Sequence, residues 1–221
     1  MIKFCIFDLD GTLLNTIKTI NYYVNSVLKD EGLDGISEEE CKHFIGDGAR
    51  LLIERSLAKF GVSDKGRIEA TLKKYTSLYD SAPLYLTEVY EGVREALDTL
   101  KAKGVRLAVL SNKPDFATKS VVKHFFREGL FDVVRGGVDG VRLKPAPDGV
   151  LSLLDLMGAR EEETAFIGDT SVDILTAKNA NLIISIGVLW GFRDFAELKE
   201  SGADIIIDTA DRLADGVLQY E

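Results

Sequence analysis

Four short runs of almost unbroken apolar residues constrain the fold of this chain more than any other feature: IKFCIFD (2–8), VRLAVLSN (105–112), TAFIGD (164–169) and LIISIGV (182–188). A half-buried strand alternates polar and apolar residues, whereas a run without alternation fits a strand covered on both faces, as in a parallel sheet. Segments 92–103, 114–126, 147–157 and 171–180, which flank these runs, read as helices. Strands alternating with helices make βαβ units, so the expected fold is α/β, with a doubly wound, mostly parallel, Rossmann-like sheet. FDVVRGG (131–137) and DIIID (204–208) are weaker strand candidates.

The alternation fails right after the first strand. Residues 17–31, 37–44, 48–60 and 66–80 read as successive helices, with Ile53, Leu57 and Phe60 at helical spacing and Ser37 with Glu40 as a capping box. This pattern predicts an all-helical cap over 16–82, inserted into a core made of 1–15 and 83–221. SAPLYLTEVYEG (81–92), with Pro83, reads as the linker or hinge that returns the chain.

Composition narrows the partners. A formal charge of −9 on 221 residues disfavours nucleic acid and anionic membrane surfaces, both polyanions that attract basic stripes. The apolar run in MIKFCIFDLD is too short for a signal peptide, and no stretch approaches the ~20 apolar residues of a membrane span. The expectation is a soluble cytoplasmic protein, monomer or homodimer, that handles small molecules. Cys5 and Cys41 do not make a disulfide framework, and His43 and His124 stand without partners at metal-ligand spacing.

In an open parallel sheet, ligands sit beyond the carboxyl ends of the strands, near the point where the strand order reverses. The polar residues predicted there are Asp8 and Asp10 after the first strand, Ser111 and Asn112 after the second, and Asp169 after the third, with Lys144 in the KPAPD loop. Three clustered carboxylates repel unless a cation lies among them, and oxygen-only ligands suit Mg²⁺. Lys144 and Ser111 then remain for an anion, and a metal, a lysine and a hydroxyl together make a phosphoryl-binding constellation. A carboxylate can attack phosphorus itself. Asp8, rigid at a strand end, is the better nucleophile, and Asp10, on the turn, is placed for acid/base work. Gly11 permits a turn that offers backbone N–H groups to phosphate, and Thr12 fits the same picture.

DLDGTLLN, LSNK, KPAPD and GDTSVD, in this order, resemble the four motifs of the haloacid dehalogenase superfamily over essentially the whole chain. The resemblance implies that Asp8 is the nucleophile and Asp10 the general acid/base, that Ser111 and Lys144 bind the phosphoryl group, and that Asp169 binds Mg²⁺. It further implies that the metal takes the backbone carbonyl of Asp10 and that Asp173 supports the metal's waters. Members that cleave carbon–halogen bonds lack the second aspartate, so Asp10 points to phosphate esters. The insert resembles the small helical cap of one subtype, and FIGDGARLLIERSL (44–57) with GVLWGFRDFAEL (187–198) is similar to phosphoglycolate phosphatases.

Several residues carry two readings. Asn112 either contacts phosphate or caps the helix beginning near Pro114, and Asp173 either supports a metal or is a helix-surface acid in the amino-terminal dipole. Gly46, Asp47 and Gly48 form a turn before a helix, on which Arg50 is a substrate contact or a solvated charge. Trp190 reads as a packed loop aromatic. The leading function is a phosphatase of a small phosphomonoester, phosphoglycolate first and a sugar phosphate or pyrophosphate second. A sugar-phosphate mutase is the rival enzyme. A phospho-accepting receiver domain is the non-enzyme alternative, disfavoured by Asp10 and by the insert.

Overall fold

The computed structural model describes residues 1–220. Six parallel strands form the main sheet, in the order β5-β4-β1-β6-β7-β8. They are β1 (Phe4–Phe7), β4 (Arg106–Pro114), β5 (Val133–Gly137), β6 (Thr164–Gly168), β7 (Ile184–Val188) and β8 (Ile205–Ile207). Two short strands, β2 (Leu14–Asn15) and β3 (Glu88–Val89), pair separately. Every residue of β1, β6 and β7 is buried, the burden that the unalternating apolar runs anticipate. Strand β1 lies between β4 and β6, with Phe7 opposite Val109 on one side and Ile167 on the other. The chain leaves β1 toward β4 and leaves β6 toward β7, so the strand order reverses between β1 and β6.

Compactness divides the chain into two units, residues 1–15 with 89–221, and residues 16–88. In the first, helices α5 (Val93–Ala102), α6 (Asp115–Phe125), α7 (Asp148–Met157), α8 (Ser171–Asn179), α9 (Phe195–Glu200) and α10 (Leu213–Leu218) accompany the sheet. Leu110, Val150, Leu153, Leu154 and Met157 pack with Phe4, Ile6, Phe166 and Ala177 in one core cluster. The second unit is helical: α1 (Ile17–Asp30), α2 (Glu38–Phe44), α3 (Ala49–Ala58) and α4 (Lys65–Ser81). Helix α1 buries Ile17, Ile20, Tyr23, Val24, Val27 and Leu28, a stripe at three- and four-residue spacing.

Two caps set the register of this helical unit. The Ser37 hydroxyl accepts the Glu40 N–H while Glu40 accepts the Ser37 N–H, so the capping box forms. The Asp64 carboxylate accepts the Arg67 N–H at 2.8 Å to start α4. Half-buried Asn25 clamps the chain before α2 by accepting from Ile36 N at 2.8 Å and donating to Ile36 O at 3.0 Å.

Two expectations shift. Helix α3 ends at Ala58, so Phe60 lies beyond it and is only partly buried; the chain turns at Gly61, whose φ of 74° closes the helix. Strand β4 runs past Asn112 to Pro114, because its register with β5 shifts between Leu110 and Pro114 and pairing resumes at Gly137. Helices α9 and α10 are too short to announce themselves by periodicity.

Leu153 is fully buried in the cluster beneath the sheet. Leu153→Ala should destabilise the protein by about 2–5 kcal/mol, read as a lower urea midpoint with unchanged slope. A loss within about 0.5 kcal/mol would mean that this face is not the packed core.

Candidate active site

The site grows from the carboxyl ends of β1 and β6. Asp8 directly follows β1, and its N–H donates to Ile167 O at 2.9 Å, which locks it to the neighbouring strand. Asp169 directly follows β6 and is fully buried. Gly11 turns the chain between them with a φ of 91°, and a Cβ there would fall inside the Asp169 carboxylate. Glycine is thus required at this position twice over, for its backbone angle and for the close approach.

Asp169 is held from both sides by neutral donors: Thr12 Oγ1 donates to its Oδ1 at 2.9 Å, and Phe192 N donates to its Oδ2 at 2.8 Å. The LWGF loop (189–192) completes this clasp, because Trp190 Nε1 donates to Thr12 O at 2.9 Å and Gly191 leaves no room for a side chain beside Asp169. Among the described residues, no ammonium or guanidinium pairs with Asp169.

Cations reach the other carboxylates. Lys144, almost fully buried, lies 2.8 Å from Asp8 Oδ1 and 2.6 Å from Asp173 Oδ1, above the Phe166 ring at 5.4 Å from its centroid. Asp173 also accepts from Thr170 N and Oγ1 through its other oxygen, so it caps α8 and holds Lys144 at once. The Asn112 amide brackets the Lys144 peptide, accepting its N–H at 2.8 Å and donating to its carbonyl at 2.9 Å. Asn112 does not cap helix α6, which starts at Asp115 after Pro114 with no side-chain cap. The Ser111 hydroxyl accepts from Lys113 N at 3.3 Å, and Lys113 Nζ lies 2.9 Å from both oxygens of Asp10.

The structure thus gathers Asp8, Asp10, Gly11, Thr12, Ser111, Asn112, Lys144, Asp169 and Asp173 in one unit. Arg50 belongs to the other, where its guanidinium pairs with Glu69 at 2.6 Å and Glu54 at 3.6 Å and is about half exposed. Lys113 closes the LSNK motif, and Trp190 and Phe192 lie in the GVLWGFRDFAEL run, but none of the three is among the site residues expected from the sequence. Lys113 falls between the strand run 105–112 and the helix read from 114, and in the structure β4 continues over it to Pro114.

Charge is unbalanced here. Asp8, Asp169 and Asp173 each offer an oxygen within 4.8 Å of the others, and all three are buried. Four carboxylates, with Asp10, meet two ammoniums. Two like charges about 4 Å apart oppose each other by about 4 kcal/mol at an effective dielectric of about 20, more than a hydrogen bond from threonine or a backbone amide returns. Burial pushes Asp8 up to about 7, against the pull of Lys144 and with the help of Asp173 and Asp10. Burial and then Asp173 and Asp8 hold Asp169 well above the ordinary aspartate range. Burial alone would lower Lys144, but Asp173 and Asp8 keep it above the usual lysine value. Burial followed by the charges of Asp169 and Asp10 raises the Tyr90 phenol. An all-oxygen, buried, anionic set in which Asp169 is held only by neutral donors among the described residues fits a hard divalent cation.

A doubly wound parallel sheet with aspartates from two adjacent strands and a buried lysine at its switch point is the arrangement of the haloacid dehalogenase-like hydrolases. The chain belongs to that family, whose model matches residues 5–187. Its similarity to particular members extends over most of its length. A phosphoglycolate phosphatase of Rhodospirillum rubrum is 32% identical over 219 residues, covering 90% of both chains. One of Aquifex aeolicus is 34% identical over 187 residues, covering 85% of this chain and 84% of that one. A crystal structure described as a candidate phosphoglycolate phosphatase from Lactobacillus delbrueckii superimposes with a TM-score of 0.92 at 31% identity, covering 97% of this chain and 98% of that one. Among the described residues, no helix is long and apolar enough to cross a membrane.

The raised carboxyls make a signed prediction for the metal-free protein. Asp8 titrates near 3.8 when unfolded and near 7 when folded, so its neutral form contributes stability that is fully present below about 3.8 and lost as pH rises through about 7. Asp169 acts in the same direction. In excess chelator the melting temperature should fall between about pH 5 and 8, by on the order of a few kcal/mol in stability, and added Mg²⁺ should restore most at the upper end. A chelated protein that becomes more stable across this window would contradict the charge assignment.

Proposed function

We propose that this chain is a Mg²⁺-dependent phosphatase of a small phosphomonoester, with phosphoglycolate the first candidate. The observation that carries the reading is the pairing of Asp8 with Lys144 at the end of the central strand, beside an Asp169 that has no cationic partner among the described residues. The names of the relatives supply the substrate candidate.

In this reading an Asp8 oxygen attacks phosphorus, the bond to the leaving oxygen breaks, and Asp10 delivers a proton to that oxygen. Water, giving its proton to Asp10, then attacks the phosphorus of the aspartyl phosphate. The bond to Asp8 breaks and its carboxylate is regenerated. Lys144 and the Ser111 hydroxyl hold phosphoryl oxygens, aided by the turn at Gly11 and Thr12, while Asn112 fixes the Lys144 backbone. Asp8, Asp169 and the Asp10 carbonyl would hold Mg²⁺, with Asp173 in support, and the ion supplies charge to match the transferring phosphoryl group. Arg50, on the helical unit, is the proposed contact for a substrate carboxylate and would exchange Glu69 for it.

Phosphate release from a panel of phosphomonoesters tests the proposal. Mg²⁺ should support turnover of phosphoglycolate and excess chelator should abolish it. Asp8→Asn should lower kcat by at least ~10³-fold while the fold persists, because the amide keeps the shape and loses the nucleophile. Appreciable turnover by a deamidation-checked Asp8→Asn protein would refute the covalent route, and full activity in excess chelator would refute the metal.

A further inference from the structure

Two buried lysines serve this site, and they hold different carboxylates. Lys144 spans Asp8 and Asp173, whereas Lys113 reaches Asp10, with its Nζ equidistant at 2.9 Å from the two carboxylate oxygens. Both partners of the second pair are largely shielded, with side chains 5% and 13% exposed. An ammonium centred on both oxygens fixes the plane and reach of a carboxylate that otherwise stands on a turn.

The main chain of Lys113 is itself anchored. Its N–H donates to Ser111 Oγ, its carbonyl accepts from Thr118 Oγ1 at 3.2 Å, and Pro114 beyond it pairs in register with Gly137 of β5. The irregular extension of β4 is what carries the ammonium to Asp10. A surface ion pair of this kind would contribute little, but a shielded one restricts where its carboxylate points.

We infer that Lys113 is a positioning residue for the second half of the reaction: it holds the Asp10 carboxylate in the orientation that accepts a proton from the attacking water. The inference rests on the reading of Asp10 as acid and base. After Asp10 has given its proton to the leaving oxygen it is an anion, and the Lys113 ammonium holds that anion in place. Water oxygen then bonds to phosphorus, the phosphorus bond to Asp8 breaks with its electron pair returning to the Asp8 carboxylate, and the water proton passes to Asp10. Removing Lys113 slows this hydrolysis more than the transfer that precedes it.

The test separates the two steps with Mg²⁺-loaded full-length protein and 4-nitrophenyl phosphate, whose leaving group departs without a proton. Lys113→Met should give a burst of about one nitrophenol per active site, then a steady rate about 10- to 100-fold below wild type, with kcat/KM lowered by less than about threefold. Acid-quenched protein should carry a phosphoryl group by mass spectrometry. Lys113→Gln, which keeps a donor toward Asp10, should show the same burst with a smaller drop, and thermal unfolding should show both variants folded. Adding Lys113→Met to Asp10→Asn should produce no further loss.

A parallel fall in kcat and kcat/KM without a burst would overturn the inference. So would full additivity with Asp10→Asn, or a KM increase confined to phosphoglycolate, which would make Lys113 a contact for the substrate carboxylate. Wild-type turnover by Asp10→Asn would instead overturn the reading of Asp10 on which the inference stands, whatever Lys113 does.

Discussion

Mutual repulsion among buried carboxylates is the constraint around which the rest of the structure is arranged. Asp8 and Asp169 end adjacent strands, so the register that pairs Phe7 with Ile167 also forces their charges together. Neighbouring features ease that conflict. Lys144 lies between Asp8 and Asp173, the Thr12 hydroxyl and the Phe192 amide clasp Asp169, and Lys113 is committed to Asp10. These contacts leave negative charge in excess, which is why burial raises Asp8 and Asp169 rather than leaving them ordinary.

The fold turns this conflict into a site because of where it places the strand order reversal. β1 and β6 send their chains to opposite sides, which leaves a crevice between their carboxyl ends where Asp8 and Asp169 emerge. The hydrophobic clusters below are continuous with it: Phe166 belongs to the core and its ring lies under the Lys144 ammonium. Packing and chemistry thus share a residue, and the rigid sheet sets the distances on which the proposed displacement depends.

Much of this was legible in the sequence. β1, β6 and β7 were readable because strands buried on both faces have no polar alternation to obscure them. Asp8 and Asp169 were readable because each directly follows such a run. Less visible was whatever depends on pairing between distant segments. Lys113 lies just beyond the 105–112 run, and a register shift, not a propensity, extends β4 over it to Pro114. The role of Trp190 in tying its loop to Thr12 needs a contact between residues that are far apart in sequence, and no local pattern announces it. Asp173 shows a third kind of difficulty, since one carboxylate both caps α8 and holds Lys144, and its spacing from Thr170 suggests only the first.

The account depends on the excess charge being matched by a divalent cation at Asp8 and Asp169. Calorimetric titration of Mg²⁺ into the metal-free protein, repeated in buffers of different ionisation enthalpy at about pH 6.5, tests this most directly. The account predicts one site per chain, proton release on binding as the raised carboxyls give up their protons, and affinity lowered by about 100-fold or more in Asp169→Asn. Binding of equal strength in wild type and Asp169→Asn, with no protons released, would contradict it.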